Sequence, residues 1–149
     1  MPEPNFFTIL YDREAMNILF PELHELFCQI TKGETECHKV DENDHFLAIL
    51  DIAPVAKGHT LILPRRPILE ITDLSDLETL SMHRMIKSVS DKLKSRFNTV
   101  GISIMQNGGA CNSISYLHVH IIPRFDTVSI WKDEMFDPTP LSEVHALLS

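Results

Sequence analysis

His118 and His120 stand two residues apart in Tyr116-Leu117-His118-Val119-His120-Ile121-Ile122-Pro123-Arg124. A β-strand alternates its side chains between faces, so both imidazoles would point the same way, about 7 Å apart along the chain. Tyr116 and Ile122 would share that face, with Leu117, Val119 and Ile121 on the other. Imidazole nitrogen is a competent nucleophile toward phosphorus near neutral pH, where much of it is unprotonated. A second imidazole beside it could carry a proton and neutralise a non-bridging phosphate oxygen. The pair also suits a metal centre, which would need a third ligand, or a hydrogen-bonded polar pair in a core. Spacing alone leaves the three readings open.

The loop before the pair, Gln106-Asn107-Gly108-Gly109-Ala110-Cys111-Asn112-Ser113, is small and polar. Its glycines permit close backbone approach, and its amides and hydroxyl can donate to phosphate. Cys111 has no assured base beside it and is a poor nucleophile candidate. Upstream, Asp51 ends an apolar run, where a carboxylate can accept both hydroxyls of a ribose or simply cap the following turn. Arg65 and Arg66 could attract an anion, although exposed basic pairs are usually solvated.

Several elements must hold these groups in place. Pro21 and Glu22 suit the first turn of a helix whose Leu23, Leu26, Phe27 and Ile30 form one apolar face before Gly33. Strands are expected over residues 37–40, 46–50, 59–63, 100–105 and 114–122. Ser75 and Glu78 form a capping box ahead of a long helix. Its stripe reads Leu77, Leu80, Met85, Ile86, Val89 and Leu93, ending near Phe97. Hairpin-length links favour antiparallel pairing. The expected class is α+β: a five-stranded antiparallel sheet, with the long helix and the shorter N-terminal helix packed on one face. The imidazoles would occupy the other. Residues 1–20 are expected to be an extension packing on a single domain at 21–149, irregular from about 125 apart from a last short helix.

Composition narrows the function. A net charge of -8 argues against broad nucleic-acid or anionic-membrane binding, which needs a basic footprint. No apolar run approaches the length of a membrane-spanning helix, and the acidic N-terminus lacks the basic region of a secretory signal. Cys28, Cys37 and Cys111 are an odd, scattered set, which suits reduced thiols in the cytoplasm better than a disulfide framework.

Together these segments resemble the histidine triad (HIT) family of nucleotide hydrolases and transferases. The family pattern is His-φ-His-φ-His-φ-φ, often followed by Pro-Arg, and residues 116–124 match it with Tyr116 in place of the first histidine. Residues 44–54, Asp44-His45-Phe46-Leu47-Ala48-Ile49-Leu50-Asp51-Ile52-Ala53-Pro54, look like its nucleoside-binding strand. Residues 58–66, Gly58-His59-Thr60-Leu61-Ile62-Leu63-Pro64-Arg65-Arg66, look like the strand after it, and Asn107-Gly108 opens the phosphate loop.

The resemblance implies that His118 attacks the α-phosphorus to form a nucleotidyl-histidine, which water then hydrolyses. It implies that His120 contacts the phosphate, that Ser113 donates to the phosphate or the leaving group, and that Asn107 sits near the phosphate or the strand after it, with Asn112 in the nucleotide-binding loop where glutamine is usual. Asp51 would hold the ribose, and Phe46 and Ile52 would line the base pocket. Purine nucleoside phosphoramidates or dinucleoside polyphosphates would be the substrates, a homodimer the assembly, and no cofactor would be needed. The alternatives are a nucleotide-binding module without turnover and a His-x-His metal protein. Many bacterial members carry a zinc site, but here Glu25, Pro67 and Tyr116 replace three of its ligands and only Cys28 remains. No structural zinc is expected.

Overall fold

The computed structural model describes residues 23–112, 114–129 and 137–149. The expected N-terminal extension lies outside them, as does Ser113. Helix α1 spans Leu23–Thr31 and is followed by strands β1 (Lys39–Glu42), β2 (Phe46–Leu50) and β3 (Thr60–Pro64). The long helix α2 covers Asp76–Arg96, then β4 (Gly101–Met105), β5 (Val119–Arg124) and a last helix α3 (Leu141–Leu148). The strands form one five-stranded antiparallel sheet, as the sequence predicts, and its order is β1-β2-β3-β5-β4. No helix among the described residues is long and apolar enough to cross a membrane.

Local chemistry explains the joins. Between β1 and β2 the Asn43 carboxamide oxygen accepts the backbone N–H of His45 and Phe46 at 3.0 and 2.8 Å, closing an Asx-type turn. Its amide nitrogen donates to the Ser81 carbonyl at 3.1 Å and so ties that turn to α2. Ser75 and Glu78 form the expected reciprocal capping box at the start of α2. Arg66 grips the Glu78 carboxylate with two nitrogens, at 2.8 and 3.2 Å. That bidentate pair is the main cause that holds the Glu78 carboxyl at about 2, well below the usual range.

The sheet buries both faces. Phe46, Ala48, Ile62, Val119 and Ile121 pack against Met82, Met85, Val89 and Leu93 of α2. On the opposite face Leu47, Ile49, Leu61, Leu63 and Tyr116 pack against Phe27, Cys28 and Ile30 of α1. The shorter helix therefore lies across the sheet from the long one, rather than beside it as expected. An apolar stripe on a helix reports that a face is buried, and cannot report which side of a two-faced sheet receives it.

Two further expectations shift. Leu77 and Leu80 are exposed, because the buried stripe of α2 runs through Glu78, Ser81, Met82, Met85, Val89 and Leu93. At 3.6 residues per turn Leu77 and Leu80 sit roughly a quarter to a half turn away from that line. The last-but-one expected element is shorter too. Residues 114–118 are irregular, and β5 begins only at Val119.

Candidate functional site

Antiparallel register brings the chemistry together. Leu61 of β3 pairs with His120 of β5, so His59, two residues before Leu61, falls on the same face as His120. His59 and Asp51 close the β2–β3 hairpin from its two ends, with the Asp51 N–H donating to the His59 carbonyl at 3.0 Å. The Asp51 carboxylate then lies 3.5 Å from His59 Nε2 and accepts the Ala53 N–H at 2.9 Å. His118 completes the group, its ring centroid 4.9 Å from that of His120 at an interplanar angle of 70°. Phe27 of α1 meets the His118 ring edge at 5.8 Å.

Hydrogen-bond partners assign a proton to each ring. His118 Nδ1 lies 2.9 Å from the Tyr116 carbonyl oxygen, which can only accept. His118 therefore carries its proton on Nδ1 and keeps a lone pair on Nε2. His59 Nδ1 accepts the Val55 N–H at 3.2 Å, which puts the His59 proton on Nε2. That Nε2–H donates to His120 Nδ1 at 2.9 Å, leaving the His120 proton on Nε2. His118 and His120 thus end up in opposite tautomers. One offers an electron pair and the other a proton.

Burial favours the neutral forms. It pushes His118 below the ordinary imidazole value, against the opposing pull of the Tyr116 carbonyl and Asp51. Burial also pushes His59 down, although Asp51 draws it back up. His120 falls furthest, to about 3, from burial first and then from the fields of His118 and His59.

Asp51, His59 and His120 present ligand atoms that all lie within 4.8 Å of one another. Two imidazoles and a carboxylate could hold a transition metal. A metal-bound imidazole, however, keeps a proton on its other nitrogen and gives it to an acceptor. With a metal on His59 Nε2, that proton would sit on Nδ1 and meet the Val55 N–H head on. These side chains fit a hydrogen-bonded relay better than a metal centre.

The other expected site residues separate. Ile52 is 81% exposed at the turn beside Asp51, free to cover a flat ring. Phe46 is fully buried against α2, on the face away from the imidazoles, and cannot line a pocket beside them. Asn112 is buried, its side chain occupied by the Tyr116 carbonyl at 3.4 Å and the Ile114 N–H at 3.3 Å. Asn107 lies in the loop after β4, where its carbonyl accepts from Gln106 Nε2 at 2.7 Å. His59 was not singled out from sequence. The available signal was its place at the far end of the hairpin from Asp51.

A family model described as the HIT domain matches residues 32–127. The chain is 31% identical over 121 residues to the protein named Hit of Bacillus subtilis, covering 77% of this chain and 83% of that one. It is 34% identical over 101 residues to the adenosine 5'-monophosphoramidase of Schizosaccharomyces pombe, covering 66% of this chain and 73% of that one. The solved structure of a histidine triad nucleotide-binding protein from Candida albicans superposes with a TM-score of 0.69 at 29% identity, over 83% of this chain and 93% of that one.

Proposed function

This chain belongs to the HIT domain family, and on that premise we propose that it is a nucleotide hydrolase or transferase acting at an α-phosphate. The substrates we infer are purine nucleoside phosphoramidates or dinucleoside polyphosphates. One observation carries the reading: the Tyr116 carbonyl holds the His118 proton on Nδ1, so the Nε2 lone pair stands ready beside a proton-bearing His120.

His118 Nε2 attacks the α-phosphorus. A P–N bond forms, the bond to the leaving group breaks, and the leaving group departs with the electron pair and takes up a proton. The His120 Nε2–H donates to a non-bridging oxygen, whose charge grows in the transition state. Water then attacks the nucleotidyl-histidine: a P–O bond forms, the P–N bond breaks with its electron pair returning to His118 Nε2, and the proton water gives up to solvent replaces the one the leaving group took from it. Asp51 accepts the ribose hydroxyls and Ile52 covers the purine. Asn107 and Ser113 serve the phosphate and leaving group. We place Tyr116 at the position of the family's first histidine and infer no resident cofactor or structural zinc. We further propose a cytoplasmic homodimer whose two sheets join edge to edge, with residues 1–20 as an extension of the domain.

The test is chemical trapping. The folded chain is incubated with adenylyl phosphoramidate labelled in its phosphate, quenched in base, and digested. Label on the peptide containing His118, absent from His118→Asn, is expected. Calorimetric nucleotide binding with no label and no turnover would sink the hydrolase reading and leave a binding module. A stoichiometric transition metal in the purified, untagged protein would favour the metal reading.

A further inference from the structure

The segment that delivers His118 to the site lies outside the ladder of the sheet, so something other than β pairing must fix it. Residues 114–118 are irregular, and within them Tyr116 is the anchor: its side chain is fully buried among Phe27, Cys28, Ile30, Leu61 and Leu63. The Tyr116 ring meets Phe27 edge-on at 5.6 Å and lies 5.6 Å from the His24 ring. Its hydroxyl donates to the carbonyl of Pro64, the last residue of β3. The following residue, Leu117, donates its N–H to the Ile68 carbonyl at 2.7 Å. The tyrosine is thus fastened to β3 at its tip and to α1 along its ring. Its backbone carbonyl is the group that receives His118 Nδ1.

We propose that Tyr116 is a positioning residue: its buried hydroxyl-to-Pro64 tie holds the Tyr116 carbonyl against His118 Nδ1 and so sets the tautomer of the nucleophile. The functional meaning rests on the reading of His118 as nucleophile, while the geometry does not. Neutral imidazole exchanges readily between its two tautomers unless a fixed partner selects one. Here the partner is a carbonyl in irregular backbone, and a carbonyl displaced by a fraction of an ångström loses that selection. Tyrosine suits the post because its ring fills the core while its hydroxyl still reaches a carbonyl acceptor. Phenylalanine would fill the same space with no tie. Asn112 Nδ2 approaches the same carbonyl, but at 3.4 Å it is the weaker hold.

The experiment reads imidazole nitrogens by long-range proton–nitrogen NMR in the full chain at pH 7, without substrate. The unaltered chain should show His118 in the Nδ1–H form, and finding it in the Nε2–H form overturns the proposal outright. Tyr116→Phe should give a mixture of tautomers while the chain still melts cooperatively. Turnover should then fall about tenfold with KM within about twofold, the loss of one buried hydrogen bond felt only in the reacting complex. A single, unchanged tautomer in Tyr116→Phe overturns the proposal. Asn112→Ala supplies an independent arm, decisive even if Tyr116→Phe does not fold. The Nδ1–H form should persist there, and a mixture would assign the hold to Asn112 instead. Because tautomers are read without turnover, a chain that meets these outcomes yet forms no nucleotidyl-histidine refutes the hydrolase reading and not this one.

Discussion

Two buried imidazoles and a half-buried third, all held neutral, should make this fold sensitive to mild acid. Burial, aided by His118 and His59, lowers His120 from 6.5 to about 3. In the unfolded chain the same ring takes up a proton near 6.5. The unfolded state thus binds the proton first, so stability is complete above 6.5 and is lost as pH falls toward 3. At pH 5 the unfolded ring is almost fully protonated and the native one almost not at all, which costs about 2 kcal/mol from His120 alone. For a chain of this size that is a fall in Tm of about 4–8 °C. His59 and His118 are lowered as well, so they add to the loss. The carboxylates of Asp41, Glu42 and Glu78, whose ordinary values are 3.8 to 4.5, lose their contribution only at lower pH. Urea unfolding at pH 7, 6 and 5 measures the effect within that window. His120→Asn should reduce the difference between pH 7 and pH 5 by about 2 kcal/mol. Wild-type stability that is flat or rising from pH 7 to pH 5 would refute the reasoning.

Three other outcomes are expected. Gly58 has φ +89, and a Cβ there would stand 2.7 Å from Phe97 Cε2, so Gly58→Ala should cost roughly 2–4 kcal/mol in chemical denaturation. Ser75→Ala removes the side-chain cap of α2 and should cost about 1 kcal/mol by the same measurement. Glu70 Oε1 accepts the Gly109 N–H at 2.7 Å, so Glu70→Ala should speed hydrogen exchange of the Gly109 amide about tenfold while leaving amides in α2 unchanged.

Much of the frame was readable because its signals are local. The capping box at Ser75, the turn residues between strands and the apolar runs of β2, β3 and β4 each declare themselves within a few residues. The stretch 114–118 suits a strand by residue type, through Ile114, Tyr116 and Leu117. Tertiary packing overrides that preference by drawing Tyr116 into the core and sending the Leu117 N–H to Ile68. Phe46 could have been set aside by counting. Residues 46 and 51 differ by an odd number, so a straight strand puts their side chains on opposite faces. His59 needed more than local pattern, since its partner His120 is 61 residues away and only the β3–β5 register joins them.

The strand order has a consequence for how the protein comes into being. β5 is the last strand in the chain, yet it lies between β3 and β4, and β4 has no other neighbour in the sheet. During synthesis the first three strands can form a meander and receive α2. β4 must wait unpaired until β5 emerges, because its contacts close against a later segment. The same event that zips β5 between its neighbours carries His118 and His120 up to Asp51 and His59. A nascent or truncated chain ending before His118 would hold Asp51 and His59 without their imidazole partners, and one orphan strand. Assembly of the histidine cluster therefore waits on the last strand of the sheet.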